Sequence, residues 1–182
     1  MSRFFRFSLL LPALLVAAPL LLAQAAPPPP APIPAPIQSA HKLFIANAGM
    51  DAFSLQAYEE LGLRNTDTYD ALYAAVQSWG NYQLVSNPDD ADLILSVRST
   101  APLVGNHNGW NFQRILANTT WQFQIDLTIV DAKTRFLLWD LTEPVRPASL
   151  TGTWRKNIAT ANAALAGQLQ ALLAPPPPPA AP

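Results

Sequence analysis

Asp89, Asp90 and Asp92 form the densest acidic group in the chain. Oxygen clusters bind hard cations, but the glycine and closing glutamate of a calcium loop are missing from this spacing. Asp89 and Asp90 fall in the turn-rich run 87–91 and Asp92 opens an apolar run, so all three read as solubilising turn residues, and no metal site is expected. The only imidazoles are His41 and His107. His107 stands between Asn106 and Asn108, with neither a G-x-S-x-G elbow nor an H-E-x-x-H helix anywhere in the chain. A small secreted or periplasmic hydrolase using Asp92 or His107 is the chemical alternative, but no catalytic constellation is assembled in the sequence and no cofactor is expected. The absence of cysteine excludes thiol nucleophiles, thiolate metal sites and disulfides together.

A different kind of chemistry is offered by Trp110, Phe112 and Arg114. They lie in residues 99–118, which carry Pro102, Gly105, Gly109 and several asparagines and therefore read as one long loop. Large aromatics in such a loop either pin it to the core or form a recognition patch. Loops on a rigid scaffold carry recognition more often than core positions do, so Trp110 is the expected anchor, flanked by Phe112 and Arg114.

The elements that must hold these residues lie between about 40 and 174. Residues 42–46 form an apolar run suited to a buried strand, whereas 47–64 is ambiguous, with Phe53, Ala57 and Glu60 able to share a short helix. Tyr69, Leu72, Tyr73 and Val76 recur at helical spacing behind Thr66 or Asp67, and Gly80 stops that helix. Residues 82–86 and 92–97 are expected strands. Trp121, Phe123, Ile125, Leu127 and Ile129 alternate with Gln122, Gln124, Asp126 and Thr128, which predicts one strand with its apolar set on the core. Residues 131–134 turn the chain into a partner strand at 136–141, and Thr153 caps a last helix that Pro175 ends, with Trp154, Ile158, Ala161, Leu165, Leu169 and Leu172 as its buried stripe. The fold class is α+β: a mixed four- to five-stranded sheet with two helices on one face, in the order β-α-β-β-β-β-α. Gln122, Gln124 and Asp126 then face water or a partner.

Composition limits the partners. Two of the eleven basic residues, Arg3 and Arg6, fall in residues 1–25, leaving nine against twelve acidic residues, a balance of −3. That argues against nucleic acid and offers no polybasic patch to a lipid surface. The first 25 residues pair a basic start with an apolar run and an Ala23-Gln24-Ala25 end, the pattern of a cleaved signal peptide. The chain is therefore expected to be periplasmic or secreted, touching a membrane only if that segment is an uncleaved anchor. Residues 26–39 read as a Pro-Ala linker that builds no helix or sheet, 40–174 as a single domain, and 175–182 as a second proline tail.

Residues 80–86, 91–95 and 130–134, with Leu138-Trp139 and Phe44-Ile-Ala-Asn-Ala48, resemble a recurrent exported domain. The chain is similar to the TolB amino-terminal domain, to curli-secretion and penicillin-binding-protein activator lipoproteins, and to small exported bacterial envelope proteins of unknown function. The resemblance implies a non-enzymatic module that binds a protein or assembly partner. It departs from the pattern at Arg135, where the hairpin usually has glycine, and in lacking a lipobox cysteine.

Amino-terminal sequencing of exported material should begin at Ala26. Recovery of an intact Met1 from a membrane fraction would replace the signal reading by the anchor reading.

Overall fold

A computed structural model describes residues 31–105 and 119–175. At its centre β3 (Leu93–Thr100) pairs antiparallel with β6 (Gln124–Asp131), from Leu93 opposite Asp131 to Thr100 opposite Gln124. Side chains alternate across a strand, so Leu93, Leu95 and Val97 share one face with Ile125, Leu127 and Ile129, all buried. β1 (Lys42–Met50) runs parallel to β3 on its other side and adds Leu43 and Ile45 to that face. β7 (Leu137–Pro144) returns antiparallel to β6, and β2 (Gln83–Leu84) pairs parallel with the start of β1. The mixed five-stranded sheet has the order β2-β1-β3-β6-β7.

Three helices close the dry face. α2 (Ala52–Glu60) contributes Tyr58, α3 (Asp67–Trp79) contributes Leu72 and Val76, and α4 (Thr151–Leu173) contributes Ile158, Leu165 and Leu169 to one cluster with the sheet. On the other face Ser96 lies opposite Thr128, and Arg98 opposite Asp126. The Asp126 carboxylate accepts from the Thr100 hydroxyl (2.6 Å), the Gln124 amide (2.8 Å) and the Thr142 hydroxyl (2.9 Å). The α+β class, the mixed sheet and the polar placement of Gln124 and Asp126 are as the sequence predicts.

The order carries more elements than predicted, for identifiable reasons. A one-turn helix, α1 (Ala35–Gln38), forms inside the tract expected to build none. Pro36 sits in its first turn, where a missing N–H costs nothing, and Ile37 is fully buried in the core. The ambiguous stretch 47–64 resolves into the end of β1, with an irregularity between Asn47 and Met50, followed by α2. Residues 99–118 are not wholly loop: Ser99 and Thr100 finish β3, and β4 (Leu103–Gly105) pairs with β5 (Thr119–Trp121) as a separate two-stranded ribbon. Trp121 therefore leaves the core strand. The Gln122 N–H donates to the Pro102 carbonyl (3.0 Å), pulling the chain out of the main sheet before β6 begins. Phe123 is half-buried and meets Trp154 edge-on, with centroids 5.0 Å apart. Thr153 does not cap α4, which starts two residues earlier behind Leu150.

The β6–β7 hairpin accepts its missing glycine at a cost. Arg135 adopts φ +62, the left-handed region, which disfavours a side chain by about 1 kcal/mol. The Asp131 carboxylate holds the turn by accepting from the N–H groups of Lys133 (2.9 Å) and Thr134 (2.7 Å). The Arg135 guanidinium meets Asp89 at 2.6 Å, but both side chains are exposed, so the pair offsets little of the strain.

Leu127 is fully buried at the middle of the sheet. Leu127→Ala should destabilise the domain by about 2 to 5 kcal/mol in urea unfolding, and a loss below about 0.5 kcal/mol would show the wrong face assigned to the core.

Candidate functional site

The rim where β1 ends, β3 ends and α2 begins is held by one carboxylate. Asp51 precedes α2 in extended conformation and its Oδ1 accepts the Ser54 N–H at 2.8 Å, satisfying an orphan donor of the helix start. Its Oδ2 accepts the Ala101 N–H at 2.5 Å, just past β3. The Asp51 N–H returns to the Ser99 carbonyl at 3.3 Å. Below, three buried hydroxyls form a triangle: Tyr58 to Thr68 at 3.1 Å, Tyr58 to Ser99 at 3.2 Å and Thr68 to Ser99 at 3.2 Å. Each is satisfied by its neighbours, so the triangle links α2, α3 and β3.

On that fixed rim two aromatics are left out in solvent. Phe53 of α2 and Trp121 of β5 stack with ring centroids 3.7 Å apart and 28° between planes, yet remain 48% and 43% exposed. Stacking shares one face of each ring and leaves the rest hydrated. The result is an apolar platform between α2 and β5, made of two rings that carry no charge.

The sequence-derived candidates distribute differently. Trp110, Phe112, Arg114 and His107 lie outside the described residues. Asp92 is committed to structure: its Oδ2 accepts the N–H groups of His41 and Lys42, both at 2.9 Å, and so ties the start of β1 to β3. Those bonds outweigh burial and, with Lys133 and Lys42 nearby, hold its carboxyl below the usual range. Asp89 pairs with Arg135 on the surface and shares no partner with Asp92, and Asp89 and Asp90 occupy a short turn of 3-10 helix, as a turn reading requires. The platform is hidden in the sequence because Trp121 continues the alternation of β6; the pairing that removes it from the main sheet, Leu103 opposite Trp121 and the Gln122 N–H on the Pro102 carbonyl, has no local signature.

Among the carboxyls whose acidity moves clearly, all move down. Burial opposes the charge on Asp51, but the N–H groups of Ser54 and Ala101 outweigh it. For Asp131 the Thr134 N–H is the main cause. A general acid working near neutral pH needs the reverse shift.

No protein-family model and no curated protein matches the chain, so the resemblance to exported envelope domains rests on its short motifs. Solved structures similar to it include a neuraminyllactose-binding hemagglutinin homologue of Helicobacter pylori, 9% identical over 74% of this chain and 82% of that one, TM-score 0.40. Others are the lipoprotein GNA1162 of Neisseria meningitidis (11%, 70% and 99%, TM-score 0.34) and dodecameric PelC of Paraburkholderia phytofirmans (13%, 79% and 93%, TM-score 0.37). Similarity this distant assigns no function.

The three lowered carboxyls set an acid limit. Their folded pKa lies below the unfolded value, so their stabilisation is complete above about pH 4 and fades as pH falls through the lowered values. The melting temperature should stay level between about pH 7 and 5 and drop below about pH 4. In Asp92→Asn the acid drop should shrink, because the neutral amide no longer titrates; parallel curves for parent and variant would remove Asp92 from this role.

Proposed function

We propose that the chain is an exported, non-enzymatic envelope module that binds a protein or assembly partner, and that the partner docks on the Phe53–Trp121 platform. The observation that carries this reading is exposure on supported elements: two large aromatics stay about half exposed, Phe53 on α2, which Asp51 and the buried hydroxyl triangle hold, and Trp121 on β5, which pairs with β4 opposite Leu103. Aromatics of this kind bury much area at little entropic cost, which is why they concentrate at interface centres. The partner surface that fits is apolar, since the platform offers ring faces and no charge.

Export is supported by the basic, apolar and small-residue pattern of residues 1–25. Against the hydrolase alternative, the Asp92 carboxylate is engaged by the backbone N–H groups of His41 and Lys42, which supports a structural role for it. Trp110, Phe112 and Arg114 are part of the same proposal: their segment joins Gly105 to Thr119, the paired end of the β4–β5 ribbon two residues from Trp121.

The test is capture from envelope extract by immobilised protein, with captured proteins identified by mass, for the parent, Phe53→Ala, Trp121→Ala and Trp110→Ala. A docking role predicts that one specific partner is lost about ten-fold or more. The stack is worth about 0.5 to 1.5 kcal/mol, so Phe53→Ala and Trp121→Ala should melt only a few degrees lower. Undiminished capture by both would overturn the platform. If Trp110→Ala keeps its partner and melts several degrees lower, Trp110 packs against the core and leaves the proposal.

A further inference from the structure

We propose that the proline segment beginning at Pro175 turns back along the open edge of β1 and lies as a polyproline II strand against Tyr69 and Tyr73. The groove it would fill exists because β2 is short. β2 ends at Leu84 while β1 runs on to Met50, and the last rung is the Val85 N–H to the Leu43 carbonyl at 3.0 Å. Backbone groups of alternate residues point to alternate sides of a strand, so Ile45 turns its N–H and C=O to that same side, where no described strand pairs with it. Beyond this point opens a groove of about 720 Å³, walled by β1 from Phe44 to Asn47, by Val85 and Ser86, and by Tyr69 and Tyr73 of α3. The two tyrosines stand one helical turn apart with centroids 6.0 Å apart.

Aromatic rings beside a free backbone donor suit one ligand chemistry in particular. A proline segment is pre-organised in polyproline II, its rings pack on aromatic faces, and its backbone only accepts hydrogen bonds. An ordinary strand would bring donors of its own and extend the sheet. Prolines cannot, so they would cover the edge and end it.

The chain holds such a segment, and its start is fixed at this edge. The Leu173 carbonyl, at the end of α4, accepts the Tyr82 hydroxyl at 3.0 Å. Tyr82 directly precedes β2 and meets Trp79, the last residue of α3, edge-on at 6.2 Å. Ala174 leaves the helix at φ −63 and ψ 139, already polyproline II, as the following Pro175 requires. From there residues 176–182 can span about 22 Å at about 3.1 Å per residue. The length of α3 from Trp79 to Tyr69 is about 15 Å, so the reach suffices. Tethering supplies a high local concentration, and a contact too weak to hold a free peptide can still be populated.

The absence of native cysteine allows a clean test in the full chain. Cysteine is placed at Pro179 and paired with either Ser86, in the groove, or Ser78, which lies nearer the tail's origin but on the opposite side of α3 from Tyr69. Docking predicts that the Ser86→Cys/Pro179→Cys disulfide forms about ten-fold faster than the Ser78→Cys/Pro179→Cys one under mild oxidation, independent of protein concentration. Adding Tyr73→Ala, at an exposed position, should abolish that preference. Equal rates, or a preference that survives Tyr73→Ala, would overturn the proposal. So would disulfides that form only between molecules, which would make a second copy the occupant. Faster closure of Ser86→Cys with Pro29→Cys than with Pro179→Cys would assign the groove to the amino-terminal tract and equally overturn it.

Discussion

Because side chains alternate along a strand, the register of β3 against β6 decides which face of the whole sheet is dry. In the observed register Leu95 lies opposite Ile129 and Val97 opposite Leu127, while Arg98 faces Asp126 on the other side. A slip of β6 by one residue would turn Asp126 and Thr128 inward and Leu127 and Ile129 out, exposing apolar surface and burying a carboxylate, each costing several kcal/mol. The helices have nowhere else to dock: Tyr58, Leu72, Val76, Ile158, Leu165 and Leu169 are buried only because that one face is apolar. The stacked platform inherits its position from the same register, since Ser99 anchors both the hydroxyl triangle and the Asp51 N–H.

A second constraint works at the junctions. Where the chain leaves a strand or enters a helix, backbone N–H groups lose their ladder partners and must be satisfied otherwise. Three aspartates accept those N–H groups, with Asp92 at the start of β1, Asp51 between β1 and α2, and Asp131 in the hairpin. In each case one short side chain bonds two N–H groups, and in two of the three it joins segments about fifty residues apart. A chain with 13% charged residues places these carboxylates at structural seams and leaves the Phe53–Trp121 rim apolar.

Legibility in the sequence followed how local each cause is. The alternation at Ile125, Leu127 and Ile129 and the stripe Ile158, Leu165, Leu169 could be read because period and burial coincide there. The same alternation misled at Trp121, since a strand that switches from a sheet to a ribbon keeps its pattern and changes only its hydrogen-bond partners. Composition reads Pro36 and Ile37 as linker; burial of Ile37 in the core depends on residues of distant elements that no local pattern announces. The Phe53–Trp121 platform joins residues 68 positions apart and could not be seen before β4 and β5 were paired. Asp92 stands out in the sequence by its charge alone, and its use as an acceptor for the N–H groups of His41 and Lys42 lies in the topology.

The two edges of the sheet are managed by different physics. β7 is a full-length edge strand of eight residues, long enough to template another chain, yet Asp140 and Glu143 interrupt its apolar residues and Pro144 ends it. α4 also reaches over it, where the Gln168 amide bonds the Glu143 carboxylate at 2.7 Å. β1 has no such charges along 43–46 and gains only two rungs from β2. An edge without charge is blunted by a residue that cannot itself be extended, and proline is such a residue; proline-rich stretches meet β2 from both sides, through the Gln83 N–H to the His41 carbonyl and the Tyr82 hydroxyl to the Leu173 carbonyl. Charge and a capping helix thus guard the β7 edge, whereas the β1 edge beyond Leu43 keeps a backbone without charged neighbours along 43–46.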